Sequence, residues 1–171
     1  MARTSSTAAR RTSRRSLDED VIRLAAIDIG SNSIHMVVAQ TDTDGSITTL
    51  WRAKEMVGLG RSSFPSHRLP VATTDMAMES LRRFVGYARR RQWEKIVAVA
   101  TSAVREAENG GDFIERVRRE LGINIRVISA REEARLIYLG VRQSVEMPDK
   151  PALVVDIGGG STEFIVADKT G

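Results

Sequence analysis

One stretch of the chain occurs twice. Leu153-Val-Val-Asp156-Ile-Gly158-Gly159-Gly160-Ser161-Thr162-Glu163-Phe-Ile-Val-Ala167 aligns without a gap on Ala25-Ala-Ile27-Asp28-Ile29-Gly30-Ser31-Asn32-Ser33-Ile-His35-Met-Val-Val-Ala39, at a constant offset of 128 positions. Asp28/Asp156, Ile29/Ile157, Gly30/Gly158, Ser33/Ser161, Val38/Val166 and Ala39/Ala167 are identical pairs. Each copy has an apolar, β-branched run, then a glycine turn, then a second apolar run, which is the pattern of two strands joined by a bend. The period is too long for a solenoid repeat. It predicts two strand-turn-strand devices, each opening half of a structure, with their turns facing across a cleft. A single copy is equally an ordinary hairpin with a Gly/Ser/Asn turn.

The turns carry the chemistry. Gly158, Gly159 and Gly160 permit positive φ and let backbone N–H groups converge on anionic oxygens. Ser161 and Thr162 add hydroxyl donors. Asp156 and Glu163 would repel bare phosphate unless a cation stands between, so the composition suggests a phosphate site with a divalent metal.

Other chemistries are poorly supplied. The 171 residues contain no cysteine and two histidines, which leaves no disulfide or thiolate site and argues against a His-rich zinc site. This fits a cytoplasmic location. No apolar run approaches about 18 residues, so no membrane span is expected. The net charge is +4, half of it within residues 1–20, where five arginines face three acids. That Ser/Thr/Ala/Arg-rich tail reads as disordered. It is either a solvated extension, a polyanion-attracting arm, or a segment resembling a transit peptide.

The chain then reads as α/β. Strands are expected over 21–29, 34–40 and 47–57, with a turn at Thr43-Asp-Gly-Ser46, giving an antiparallel three-strand opening. Gly58 to Ser63 reads as a mobile loop. Thr73 or Thr74 would cap a helix running to about Gln92, with Leu81, Phe84, Val85 and Ala88 inward and Arg82, Arg83, Arg89, Arg90 and Arg91 making a basic side. That side is either solvated or contacts a polyanion. A strand over Lys95–Ala100 leads into Thr101-Ser102 and Arg105, at a strand end where α/β sheets bind ligands. Arg105 could fork onto a phosphate or form a surface ion pair. Asp112 and Glu115 suggest a helix start, and Gly122 a stop. A strand over 123–128 precedes Ser129 and Glu132, a second capping box.

Glu133 lies in the first turn of that last helix, on the side bearing Ile137, Gly140 and Val141. Burial would favour its uncharged form, whereas the helix N-terminus favours the carboxylate. On composition alone it is better explained as a solvent-facing first-turn glutamate.

Taken with Thr101-Ser-Ala-Val-Arg105 and Glu132-Glu-Ala-Arg-Leu136, the twin turns resemble the N-terminal part of the exopolyphosphatase / guanosine pentaphosphate phosphohydrolase family, over about Val21 to Ala167. The resemblance implies an actin-like, sugar-kinase and heat-shock ATPase (ribonuclease H-like) fold: a mixed five-stranded sheet with flanking helices. Residues 21–128 would form the first domain, and 129–171 the linking helix and opening hairpin of a second. It implies Glu133 as the base that activates water, and Asp156 and Glu163 as ligands of magnesium or another divalent cation. Ser31, Asn32, Ser33, Gly158, Gly159, Gly160 and Ser161 would cradle phosphate, with Arg105 gripping it. The implied substrates are inorganic polyphosphate or pppGpp (a guanosine penta- or tetraphosphate ligand), without specific nucleic acid or membrane, and relatives of full length are expected as homodimers.

Two departures stand out. After Val57-Gly-Leu-Gly60 this chain has Arg61-Ser-Ser-Phe64 where the family has an acidic-glycine segment. The chain also stops at Gly171, so a truncated form with weak turnover is expected. The alternatives are a non-catalytic polyphosphate or alarmone-binding module and an ATP-binding kinase of the same superfamily.

Overall fold

The computed structural model describes residues 22–42, 46–93 and 95–168. The basic tail and positions 43–45 of the expected Thr43–Ser46 turn lie outside the described residues. Seven strands and five helices follow in the order β1 (Arg23–Ile29), β2 (Ser33–Thr41), β3 (Ile47–Met56), α1 (Leu59–Ser66), α2 (Val71–Arg90), β4 (Lys95–Ala100), α3 (Ser102–Arg105), α4 (Gly110–Leu121), β5 (Ile125–Val127), α5 (Ala130–Ser144), β6 (Ala152–Ile157) and β7 (Thr162–Ala167) among the described residues. Among these residues no helix is long and apolar enough to cross a membrane.

β1 to β5 form one mixed sheet in the order β3-β2-β1-β4-β5. β1 pairs antiparallel with β2, and β2 with β3, while β4 lies parallel to both β1 and β5. The three-strand antiparallel opening is thus as expected. β6 and β7 make a separate antiparallel hairpin.

Strand alternation divides the large sheet into two faces. Ala25, Ile27 and Ile29 of β1 join Ile34, Met36 and Val38 of β2 and Ala98 and Ala100 of β4 in one buried cluster. α2 supplies Leu81, Phe84, Val85 and Ala88 to the same cluster, and α4 supplies Phe113, Val117 and Leu121. The 3.6-residue spacing of these side chains lets one face of each helix fill the sheet's hollow. Asp28, Arg52 and Lys54 point to the opposite, open face.

Three local expectations are corrected. Residues 58–63 are not a free loop but run into α1. Val57 and Gly58 donate backbone hydrogen bonds to the Asn32 carbonyl, and Gly60 donates to that of Ser31, at 3.0, 2.9 and 2.7 Å. Gly58 takes φ 72°, and Leu59 is fully buried. α2 starts two residues before the threonines, because Thr73 and Thr74 Oγ1 donate to the carbonyls of Pro70 and Val71 instead of accepting N–H groups. α4 starts at Gly110, with Asn109 rather than Asp112 in the flanking position. The Asn109 side chain does not cap the helix. It accepts from Leu69 N at 2.8 Å and donates to Leu69 O at 3.0 Å, tying the entrance of α2 to that of α4. The expected stop at Gly122 holds, with φ 64° and its N–H on Arg118 O, and Ser129 Oγ accepts from Glu132 N as expected.

Because Asn109 satisfies both polar groups of one buried-side residue, Asn109→Ala is expected to cost about 1–3 kcal/mol in urea unfolding. Asp112→Ala, which removes no cap, is expected to stay within about 0.5 kcal/mol.

Candidate active site

The repeated stretches fold alike. In the first turn Gly30 N donates to Ser33 O at 3.0 Å, and in the second Gly158 N donates to Ser161 O at 2.9 Å. The same four-residue bend is therefore built twice. The glycine triad does not work as expected, since among described residues only Gly58 and Gly122 are glycines with positive φ. Gly159 supplies room instead. A Cβ there would lie 2.2 Å from Asn32 Cγ and 2.3 Å from Nδ2, so the tip of the first turn sits against the second.

The two turns line one cleft of about 380 Å³. Ser31, Asn32, Ser33, Gly158, Gly159, Gly160 and Ser161 all face it, with Asp156, Glu163 and Glu133. Asp156 and Glu163 are directly paired across β6 and β7, which puts both carboxylates on one side of the hairpin. The remaining cleft residues include Asp28, His35, Lys54, Thr101 and Ser102.

The first turn is braced from behind. Ser31 Oγ and Ser102 Oγ are 2.8 Å apart, both buried, which couples the turn to the start of α3. Ser33 Oγ lies 2.8 Å from His35 Nε2. Burial, and then the charge of Lys54, hold the His35 imidazole below its ordinary pKa. The end of β7 opposite the second turn is tied to α5, where Tyr138 donates to Asp168 O at 3.0 Å.

Arg105 lies behind Glu133 and is absent from the cleft lining. Its Nη1 donates to Ile128 O and to Glu133 Oε2, each at 3.0 Å. The Glu133 side chain is 13% exposed, so the α5 N-terminus presents a carboxylate whose direction an arginine sets. Arg105 acts on the cleft through Glu133.

Asp28, the twin of Asp156, is the residue that sequence reasoning undervalued. It is open to the cleft on one side, yet the protein around it raises its carboxyl to about 6, and the charges of Glu133 and then Asp156 add to that burial. Its identity with Asp156 was the available pointer. Lys54 had none, because only strand pairing brings it beside His35.

Asp28, Asp156 and the Arg105-paired Glu133 gather three carboxylates on one cleft, which suits a bound cation. Among the described residues no three His, Cys, Asp or Glu side chains are arranged to hold a metal by themselves. Magnesium is commonly held by one or two carboxylates, with water and substrate phosphate completing its shell. Asp156 and Glu163 fit that donor set.

The model of the Ppx/GppA phosphatase family matches residues 36–170. The crystal structure of an exopolyphosphatase from Cytophaga hutchinsonii is 35% identical, with a TM-score of 0.83 over 87% of this chain and 47% of that one. The Aquifex aeolicus member of the Ppx/GppA family is 34% identical, with a TM-score of 0.75 over 86% of this chain and 48% of that one. An exopolyphosphatase-like protein is 36% identical, with a TM-score of 0.79 over 86% and 45%. The chain spans about half the length of these solved structures, and it shares the actin-like fold of that half.

Carbon-13 NMR of the metal-free protein is expected to find Asp28 titrating near 6 rather than near 3.8, with Glu133→Gln lowering the midpoint. Because the folded state holds this proton more tightly, stability is greatest below the unfolded-chain value. It is lost as pH rises from about 4 to about 6. Gly159→Ala should displace Asn32. Asn32→Ala and Gly159→Ala combined are expected to depart from additivity by about 0.5–3 kcal/mol in a stability cycle.

Proposed function

The chain belongs to the Ppx/GppA phosphatase family, and from that premise we propose that it removes the terminal phosphate from a phosphoanhydride chain. The substrate would be inorganic polyphosphate or the triphosphate end of pppGpp. The observation that carries this reading is the convergence of two like turns and Glu133 on one cleft.

The turns would receive the terminal phosphate through backbone N–H groups and the hydroxyls of Ser31, Ser33 and Ser161. Glu133, oriented by Arg105, would take a proton from water as the water oxygen bonds to the terminal phosphorus. The opposite phosphorus–oxygen bond breaks, releasing inorganic phosphate and a chain one unit shorter. Asp156 and Glu163 would hold Mg2+, which when bound supplies neutralising charge to the non-bridging oxygens. Asp28 would add to the cation-attracting field. A cytoplasmic place of action belongs to the same proposal.

Phosphate release from polyphosphate in the presence of Mg2+ tests this directly. Glu133→Gln is expected to lower turnover about a hundredfold or more while polyphosphate still binds. Removal of divalent cations with EDTA should stop release, and added Mg2+ should restore it. Unchanged turnover in Glu133→Gln would exclude this residue as the base.

A further inference from the structure

The open face of the sheet carries a row of side chains that leads out of the cleft. In register, Asp28 lies opposite His35, and His35 opposite Lys54. Adjacent strands are about 4.8 Å apart, so the Lys54 backbone is about 10 Å from that of Asp28, across the sheet toward its edge. Arg52 is on the same face of β3, two residues farther from the cleft, where it is paired with Val37. This adds roughly 7 Å. A hollow of about 390 Å³, lined by His35, Met36, Val37, Arg52, Ala53 and Lys54, adjoins the cleft and shares His35 and Lys54 with it.

We propose that this row is a distal subsite for a linear polyphosphate, with Lys54 and then Arg52 holding the part of the chain that extends from the cleft. The inference rests on the phosphohydrolase reading and selects between its two substrate classes.

Charge supports the assignment. Among the described residues no ion pair involves Arg52 or Lys54, whereas Arg82, Arg83, Arg116 and Arg118 on the helices are all paired. Their neighbours across the strand pair are His35 and Val37, so no carboxylate stands directly opposite either cation. The shape of the surface supports it too. β3 is the outermost strand, so no further strand covers this path on its outer side. A nucleotide would need something to stack on, and the hollow contains no Phe, Tyr or Trp. Trp51 faces the other way and stacks on Tyr87 of α2 at 4.5 Å. A repeating anion can use both cations in turn, whereas a compact one ends at the cleft.

Equilibrium binding of the full chain to long-chain polyphosphate and to tripolyphosphate tests the proposal. Arg52→Gln is expected to weaken long-chain binding about fivefold to tenfold, with a smaller effect on tripolyphosphate. Adding Lys54→Gln should extend the loss and flatten the salt dependence of long-chain binding. Arg90→Gln, on the helix-covered side, should leave the ratio of the two affinities unchanged. Equal losses for both lengths, an equal change from Arg90→Gln, or equal competition per phosphate by a single-stranded oligonucleotide would overturn it. A protein that binds long chains through Arg52 but releases no phosphate would retain the subsite and lose the hydrolase reading. Hydrolysis without any length preference in binding would do the reverse.

Discussion

Asn32 stands where a side chain at residue 159 would have to be. That contact joins two turns separated by well over a hundred residues, both lining one cleft. A side chain at 159 would have to displace the end of the Asn32 side chain. The backbone of Asn32 is also engaged, since its carbonyl accepts from both Val57 and Gly58. The first turn is thus fixed to the start of α1 on one side and meets the second turn on the other.

Around this junction the charges are arranged unevenly. Asp28, Glu133 and Asp156 are close enough for two of them to hinder ionisation of the third. One arginine stands near them, and its Nη1 is engaged by Glu133 and a backbone carbonyl. A site with this balance disfavours a further bare anion. It also keeps the glutamate in one orientation, since Ile128 O fixes the guanidinium that in turn fixes the carboxylate. From the rim of the cleft outward the sign reverses, and Lys54 and then Arg52 occupy the open face without ion-pair partners among the described residues.

The sheet explains how one small unit supports both regions. Its helix-covered face is closed by apolar side chains from α2 and α4, which leaves the other face free to carry Asp28, His35, Lys54 and Arg52. Register sets their order. A slip of one residue in β3 would turn Lys54 and Arg52 into the helix layer and bring Glu55 and Trp51 out.

Much of this was legible in the chain itself. The in-register duplication determined the twin turns and the strands beside them, because strand pattern and turn chemistry are local and survive as a repeat. The apolar spacing of α2 and α4 and the helix cap at Ser129 were local as well. What could not be read were effects that depend on distant partners. Asn109 was drawn away from a helix cap by Leu69, and residues 58–60 were drawn out of a loop by the carbonyls of Ser31 and Asn32. Gly159 needed to be glycine for space and not for its φ, which only the approach of Asn32 decides. The engagement of Arg105 by Glu133, the raised carboxyl of Asp28 and the alignment of Lys54 behind His35 belong to tertiary structure for the same reason. Each is set by a through-space distance between elements, and a linear order of residues carries no such distance.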